Sequence, residues 1–286
     1  TRQIYLDNAS TTAVRPEVLD AMLPYFTEEF GNPSSIYPLG QRASDAVTAA
    51  RATIAGLIGA KPNEVYFTSG GSEADNWAVK GFARANAAKG KHLITSAVEH
   101  HAVLHTCQAL EREGFEVTYL PVGAGGRVSP ADFEAAIRPD TILASVMFAN
   151  NEIGTLQPVN ELAKIAHEHG VAFHTDAVQA FGHEAIDVNA LGIDMLSASA
   201  HKLYGPKGVG LLYVRRGVKL DNLIDGGQQE RGRRATTENV PGIVGFAKAA
   251  ELAVAEMDAE HDRQLALRDH AIRRILAEIP SAKLNG

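Results

Sequence analysis

A lysine stands at the end of an apolar strand pattern in the segment Ser197–Gly208, where a Gly/Pro-rich turn follows it. This position places the Lys202 amine at the carboxyl edge of a sheet, the edge at which open α/β sheets bind ligands. A desolvated lysine gives up its proton readily and can attack an aldehyde to form an imine. The neighbouring Ser199 and His201 can donate hydrogen bonds to a phosphate, which favours this interpretation over a surface lysine in a turn. The second amine, Lys207, lies inside the turn and is expected to face solvent.

An aspartate occupies a similar place after a second strand pattern, in the segment His174–Gln179. A buried carboxylate at Asp176 needs a cationic partner, because an unpaired buried charge is costly. A protonated pyridine nitrogen would be such a partner, and a ring kept protonated acts as an electron sink. The competing interpretation is an aspartate that caps a helix or forms an Asx turn.

A Gly-Gly pair connects a third strand to a helix in the segment Thr68–Asp75. Gly70 and Gly71 allow backbone amides to approach an anion at the positive end of the helix, and a phosphate suits that place. We expect Ser72 to cap the helix, with Asp75 three residues later as in a capping box. The segment is neither a Walker loop nor a GxGxxG dinucleotide loop. A well-capped helix without a ligand is the alternative.

Two further strand patterns end in polar groups. Glu99, His100 and His101 offer an imidazole that can stack on a planar ring or move protons. Zinc is not expected there, because adjacent side chains point apart and no cysteine or second carboxylate stands at ligand spacing. The amides of Asn150 and Asn151 follow the other strand. Five strand ends therefore offer an amine, a carboxylate, phosphate donors, an imidazole and an amide to one crevice.

Apolar, β-prone runs alternate with helical patterns along the chain. The strands are predicted at Val65–Phe67, His92–Thr95, Val117–Pro121, Ile142–Met147, Val171–His174, Met195–Ser197 and Val209–Val214. The helices between them are predicted at Glu73–Ala88, His101–Glu113, Pro130–Ile137 and Pro158–His169. This alternation predicts an α/β fold whose mostly parallel sheet is covered by helices on both faces. The last two strands lack a helix between them and can pair differently.

A continuous helical pattern runs from Gly245 to Ile279, and Pro280 is expected to end it. A long helix that leads away from a finished sheet predicts the passage into a second domain. We therefore expect a large domain at residues 15–255 and a smaller domain, only partly present, made of residues 1–14 and 256–286.

Composition narrows the class of protein. The 286 residues carry a formal net charge of −7, which does not favour nucleic acid or an anionic membrane as partner. Arg231, Arg233 and Arg234 form a short basic run that we expect to be a solvated loop. No apolar stretch reaches the roughly 18 residues of a membrane span, and no secretory signal is recognisable. The single cysteine, Cys107, excludes an internal disulfide. A cytoplasmic location fits these features.

Taken together and in this order, the segments resemble the pyridoxal-phosphate (PLP) dependent cysteine desulfurases of the NifS/IscS type, in the class V aminotransferase group. The segments that carry the resemblance are Tyr5–Thr12, Gly31–Ser35, Glu99-His100, Ala149–Gly154, Asp176–Gln179, His201-Lys202 and Gly226–Gly232. The resemblance implies a fold-type I homodimer with active sites at the subunit interface, and places Gly31–Ser35 near the substrate entrance.

The resemblance also implies roles for single residues. Lys202 would form the Schiff base with PLP and move protons, Asp176 would pair with the pyridinium nitrogen, and His100 would stack on the ring. The other implied cofactor ligands are Asn151 and Gln179 at the phenolic oxygen, and Gly71, Ser72, Ser199 and His201 at the phosphate, together with Thr237 from the partner subunit.

The implied reaction removes sulfur from L-cysteine, giving L-alanine and an enzyme persulfide for iron–sulfur cluster or thio-cofactor synthesis. A scaffold protein would accept the sulfur. The persulfide cysteine and the arginine for the substrate carboxylate lie in the family's C-terminal part, and we expect both beyond Gly286. Cys107 is expected to be a small buried hydrophobe, and Tyr37 stands where relatives often have histidine. The alternatives are a selenocysteine lyase or another class V PLP enzyme, a PLP-binding protein without catalysis if the chain ends at Gly286, and, last, a nucleotide-binding Rossmann protein.

Overall fold

One mixed sheet organises the computed structural model, which describes residues 3–285. Its seven strands within that range are β1 (Val65–Thr68), β2 (His92–Ser96), β3 (Glu116–Leu120), β4 (Thr141–Ser145), β5 (Ala172–Asp176), β6 (Met195–Ser199) and β7 (Gly210–Val214). Their order across the sheet is β1-β7-β6-β5-β4-β2-β3. Each strand coincides, within two residues at either end, with a strand predicted from the sequence.

The strand directions bring the predicted site residues to one edge. Strands β2 to β6 form the parallel pairs β3/β2, β2/β4, β4/β5 and β5/β6. Strand β7 is antiparallel to both β6 and β1, so β1 runs in the same direction as the parallel strands. The carboxyl ends of β1, β2, β4, β5 and β6 therefore lie at the same edge of the sheet. The predicted α/β class and the exceptional pairing of the last strand are both confirmed.

Helices cover the two faces of the sheet. In chain order they are α1 (Pro16–Met22), α2 (Pro24–Thr27), α3 (Pro38–Leu57), α4 (Gly71–Asn76), α5 (Phe82–Asn86), α6 (His101–Arg112), α7 (Pro130–Ala136), α8 (Val159–Glu168), the short turn α9 (Gln229–Gly232) and α10 (Val240–Glu278). Each face of the sheet packs into its own hydrophobic core, and neighbouring residues of a strand point to different cores. Leu93 and Leu212 pack with α4 to α6, whereas Ile94 and Leu211 belong to the core under the other helices. This alternation follows from the two-residue period of a strand.

The helix predicted at Glu73–Ala88 contains an irregularity. A π-helical turn at Trp77–Gly81 separates α4 from α5. The Trp77 ring is buried at this turn, and its indole N–H donates to the carbonyl oxygen of Asp221 at 2.9 Å. One inserted residue in a helix shifts the faces on either side of it, so the turn marks where the helix changes its packing partner.

The long C-terminal helix has two different halves. It begins at Val240, five residues earlier than predicted, because the Asn239 side chain accepts the Gly242 N–H at 3.1 Å and Pro241 suits the first turn. Its buried residues all lie between Val240 and Ala250, against α1 and α3. The 39 residues extend about 58 Å. The division into residues 15–255 and a partial second domain at 1–14 and 256–286 stays a prediction.

Two sequence-based expectations are corrected by the fold. Arg234, expected in a solvated loop, is half-buried in an ion pair with Glu73 at 2.7 Å. Ser72 does not cap its helix, because the helix begins one residue earlier, at Gly71, and no side chain bonds at its cap residue Gly70. Glu73 supplies the missing contact instead, since its carboxylate accepts the Ser69 N–H at 2.8 Å. Every helix in residues 3–285 is too short or too polar to cross a bilayer.

Candidate active site

Lys202 lies directly beyond β6, at the end of the 3-10 turn Ala200–Lys202. Its amine donates to the carbonyl oxygens of Ala9 and Ser10, the second at 2.9 Å. Burial lowers the pKa of the Lys202 amine, and the carboxylates of Asp176 and Asp7 only partly oppose this. A lysine with a lowered pKa supplies more of the neutral amine that acts as a nucleophile or base.

Asp176 ends β5 and is 4% exposed. One carboxylate oxygen accepts the Val178 N–H at 2.9 Å. Burial raises its pKa, while this hydrogen bond and the charges of His100 and Lys202 act in the opposite direction. The Asx-turn alternative is therefore also realised, but it uses only part of the carboxylate and leaves room for a cationic ligand.

A second buried aspartate lies next to Asp176. Asp75, on α4, is 1% exposed, and among residues 3–285 its Oδ1 has no hydrogen-bond partner. Polar atoms of Asp75, His100 and Asp176 all lie within 4.8 Å of one another. Burial and the charge of Asp176 raise the pKa of Asp75 well above its usual range. Two close buried carboxyl groups cannot both ionise easily, so one of them holds a proton unless a cation joins them.

His174 supports this pair from within the sheet. It is fully buried on β5, and its ring nitrogens contact the hydroxyls of Ser145 at 2.8 Å and Ser197 at 3.0 Å. Its Nε2 also lies 3.8 Å from Asp75 Oδ1. Burial lowers the pKa of His174 to about 3, so the ring is neutral at physiological pH. Neither Asp75 nor His174 was predicted from the sequence as a site residue. Their place on inward-facing positions of α4 and β5 is the signal that could have found them.

His100 stands over the same corner as the cap residue of α6. Its Nδ1 accepts the Ala102 N–H at 3.1 Å, so the neutral ring carries its proton on Nε2. The buried Glu99 beside it accepts hydrogen bonds from the Ser96 hydroxyl at 2.6 Å and the Met147 N–H at 2.9 Å. Burial raises the pKa of Glu99 to about 8. Glu99 thus joins the ends of β2 and β4 and fixes the backbone that presents His100.

The Gly-Gly segment forms a cradle in which a side chain would not fit. Gly70 has φ of 158° and ψ of 180°, a conformation that belongs to glycine. A Cβ on Gly71 would lie 2.6 Å from Val178 Cγ2, and one on Gly210 would lie 2.7 Å from the Gly70 backbone. The Cβ of the buried Ser199 is 3.8 Å from that Gly71 position. Backbone amides at a helix start, with hydroxyls nearby, suit a phosphate.

Two of the other predicted ligands approach the Lys202 side of the site. The Gln179 amide donates to the same Ala9 carbonyl oxygen that Lys202 contacts, at 3.0 Å. The His201 ring contacts the Thr11 hydroxyl at 3.1 Å, and burial lowers the pKa of this histidine. The N-terminal residues Ala9 to Thr11 are a part of the site that the sequence analysis did not assign. No local pattern announces a contact that spans more than 160 residues of chain.

The structure leaves three predicted ligands at the margin of the site. Asn151 is half-buried and its amide donates to Glu152 at 3.0 Å. Its neighbour Asn150 is buried, and its side chain donates to the Val98 carbonyl oxygen at 2.9 Å. Ser72 is exposed beside the Gly-Gly cradle. Thr237 is exposed and borders a cleft of about 200 Å³, together with Thr68 and Ser69.

These groups fit a ring that bears a phosphate and an aldehyde. Each group has a counterpart in such a ligand. The glycine cradle suits the phosphate, the carboxyl pair with its free oxygen suits a protonated ring nitrogen, and the half-buried amine suits the aldehyde.

Comparison with known proteins agrees with the site. The family model described as "Aminotransferase class-V" matches residues 4–286. Cysteine desulfurase IscS of Methanosarcina thermophila is 60% identical over 285 residues, which are 100% of this chain and 70% of the relative. A solved "NifS-like protein" has a TM-score of 0.95 at 40% identity, over 96% of this chain and 76% of that one. A structure of "SspA in complex with cysteine" has a TM-score of 0.85 at 46% identity, and the match covers 87% of this chain and 72% of that one.

The chain therefore belongs to the class V aminotransferase family, whose members are PLP enzymes. Within that family it groups with the IscS-type cysteine desulfurases, one of which, from Clostridium botulinum, is 57% identical over 100% of this chain and 72% of the relative. The resemblance drawn from the sequence segments and the fold-type I expectation are both confirmed.

Proposed function

We propose that this chain carries the PLP site of a cysteine desulfurase that converts L-cysteine into L-alanine. The observation that carries the proposal is the half-buried Lys202 amine, with its lowered pKa, at the same sheet edge as Asp176 and the glycine cradle. The neighbour structure that contains cysteine supports L-cysteine as the substrate. When bound, PLP supplies an aldehyde for amines and a protonated ring that takes up electrons from the substrate.

In this proposal, each residue at the sheet edge has a role that follows from its position. Lys202 would hold the cofactor through its aldehyde, and its amine would hold or return the proton at the substrate Cα. Asp176 would face the ring nitrogen as a carboxylate, and Asp75 beside it, whose pKa burial raises, would stay protonated and so add no second negative charge. His100 would stack on the ring, and its Nδ1 contact with the helix start fixes its orientation.

In this proposal, the other polar residues of the site bind the phenolic oxygen and the phosphate of the cofactor. Asn151 and Gln179 bind the phenolic oxygen, and Gly71, Ser72, Ser199 and His201 bind the phosphate. Thr237 reaches the phosphate of the other subunit in a cytoplasmic homodimer, as the resemblance implies. The sulfur then passes to a scaffold protein that builds iron–sulfur clusters or thio-cofactors.

Cys107 is not the sulfur acceptor in this proposal. Cys107 is buried on α6, and burial raises the pKa of its thiol to about 12, so it stays protonated and unreactive. In the balanced reaction, L-cysteine and an enzyme thiol give L-alanine and an enzyme persulfide. The carbon–sulfur bond of the substrate breaks, a sulfur–sulfur bond forms, and a proton replaces sulfur on the substrate carbon.

Cofactor attachment tests the site. The purified protein should be yellow with PLP, and borohydride reduction with peptide mapping should place a pyridoxyl label on Lys202. Lys202→Ala should abolish the label, whereas Lys207→Ala, which changes an exposed lysine five residues away, should leave it in place. A label on another lysine would overturn the assignment.

Product analysis tests the reaction. The full-length protein, given L-cysteine and a thiol reductant, should release sulfide and L-alanine in equal amounts. PLP binding without sulfide would contradict the desulfurase proposal and favour another class V activity. Selenide release from L-selenocysteine alone would identify a selenocysteine lyase.

A further inference from the structure

A polar segment packs along the free edge of β1. We call residues 226–239 the edge segment. Its Glu230 is buried, and the two carboxylate oxygens accept hydrogen bonds from the two terminal guanidinium nitrogens of Arg51, on α3, at 2.7 and 2.8 Å. The exposed fractions of these two side chains are 12% for Arg51 and 2% for Glu230. Glu230 also accepts the Phe67 N–H at 3.1 Å, so the edge segment is tied directly to the strand that leads into the glycine cradle.

A second buried ion pair joins the edge segment to the cradle itself. The Arg234 guanidinium binds both carboxylate oxygens of Glu73, at 2.7 and 2.9 Å. The side chains are 13% and 11% exposed. One of these oxygens also accepts the Ser69 N–H at 2.8 Å. A single carboxylate therefore connects Arg234 with the backbone immediately before Gly70.

The charge state of Glu73 depends on this pair. Burial acts to raise the pKa of Glu73, but Arg234 and the Ser69 contacts outweigh it and the pKa lies below its usual value. Without Arg234, the buried carboxylate would have to take up a proton or turn towards water. Either change would weaken the bond to the Ser69 N–H and release the turn that aligns the cradle amides.

The edge segment has an unusual backbone conformation, which its side-chain contacts hold in place. Glu230 and Arg231 adopt φ of 48° and 60°, and Thr236 adopts 103°, all unusual for residues with a side chain. Such conformations persist where surrounding contacts over-determine them. The two ion pairs lie on either side of Arg231 and Arg233, whose guanidinium groups lie 4.2 and 5.8 Å from the Tyr66 ring.

We propose that Glu73 and Arg234 are positioning residues for the phosphate of the cofactor, because their ion pair holds the Thr68–Ser72 turn in its anion-binding shape. The inference rests on the proposed function, since it needs PLP as the ligand. Neither side chain has to touch the phosphate. Their effect is carried by the Ser69 N–H bond and the two glycines that follow it.

The test compares two ligands that differ only in the phosphate. Full-length apo-enzyme is titrated with PLP and with pyridoxal, in the wild type, Arg234→Gln and Glu73→Gln. PLP affinity should fall roughly 10- to 100-fold in both variants, the range for loss of a charged hydrogen-bonded contact. Pyridoxal affinity should change less than about threefold. Arg84→Gln is the matched control, because it removes a bidentate Arg–Glu pair with Glu113 away from the site.

Each outcome has a defined meaning. If the affinities for PLP and for pyridoxal fall by the same factor, the positioning role is overturned and the ion pair has only a structural role. If Arg234→Gln does not fold, the near-isosteric Glu73→Gln decides by the same ratio. If the wild type binds PLP at Lys202 and the variants keep the wild-type ratio of PLP to pyridoxal affinity, this inference alone is refuted. A wild type that binds neither ligand refutes the proposed function as well.

Discussion

Buried charges are arranged in opposite ways in two regions of the molecule. At the edge segment, Arg51 with Glu230 and Arg234 with Glu73 form bidentate pairs in which nearly every charged atom has a partner. At the strand ends, Asp75 and Asp176 lie close together, and Asp75 Oδ1 has no partner among the described residues. Paired buried charges hold a structure in one shape, whereas unpaired ones lower stability and mark a place built for a ligand.

Breaking a pair in the first region should give the largest effect on folding. Arg51→Gln leaves Glu230 buried without its counter-ion, and the free energy of unfolding should fall by about 3–5 kcal/mol. Urea denaturation of the apo-protein measures this. A loss below about 1 kcal/mol would mean that Glu230 is solvated in solution and that the two regions do not differ as described.

A matching change in the second region should leave folding intact and damage the reaction. Asp176→Asn removes the charge that we propose faces the ring nitrogen, and kcat should fall about 100-fold or more, the scale for losing one preorganised electrostatic contact. The thermal midpoint of the apo-protein should not decrease, because the repulsion between Asp176 and Asp75 is removed while the Asn side-chain oxygen can still accept the Val178 N–H. Steady-state rates and melting curves of the same preparation test both halves. A kcat within a few-fold of the wild type would contradict the assigned role.

The buried Glu99 should make stability depend on pH in a defined window. Its folded pKa of about 8 lies above the usual value near 4.5, so the folded state binds more protons than the unfolded state between these values, and stability falls as pH rises. His174, whose pKa of about 3 is lowered, acts in the opposite sense but only up to about pH 6.5.

From pH 6.5 to 8, comparison with Glu99→Gln isolates the contribution of Glu99, since the other groups with shifted pKa values, such as Asp75 and Lys202, are present in both proteins. Between these two pH values, wild-type stability relative to Glu99→Gln should fall by about 1.6 kcal/mol, because the slope begins near 1.36 kcal/mol for each pH unit and halves as the pH reaches the folded pKa. Chemical denaturation of both proteins at the two pH values supplies the difference. Parallel profiles would show that Glu99 ionises normally.

An exposed pair provides the smallest effect and the baseline. Arg84 and Glu113 are bidentate like the buried pairs, but their side chains are 43% and 38% exposed. Arg84→Gln should lower the free energy of unfolding by less than about 1 kcal/mol. A larger loss in urea denaturation would show that burial is not what distinguishes the edge segment.

The parts of the fold that depend on local pattern could be predicted from the sequence. Each strand is a short apolar run, and the reversal of β7 could be anticipated because no helix fills the space before it. Lys202, Asp176 and the glycine cradle were found because each follows a strand and all such ends meet at one sheet edge. The first three helices were not predicted, although Pro16, Pro24 and Pro38 stand at their first positions, where proline favours a helix start.

The parts that depend on long-range contacts could not be predicted. Arg51 and Glu230 meet across 179 residues, and Lys202 meets Ala9 across 193. Nothing within a short window distinguishes these side chains from solvated ones, which is why Arg234 was assigned to a solvated loop. Asp75 was assigned to a capping box for the same reason, because its neighbour in space, Asp176, lies at the end of β5, about 100 residues further along the chain.

The side chains of the edge segment also act on the sheet as a whole. Strand β1 has backbone groups on its outer side that no other strand pairs, and Arg51 and Arg231 donate to the Val65 carbonyl oxygen at 2.8 and 2.9 Å while Glu230 accepts from Phe67. An uncharged Val-Tyr-Phe-Thr strand with a free edge is a template on which a foreign chain can add a strand. The side chains of the edge segment therefore close an edge that many folds close with another strand.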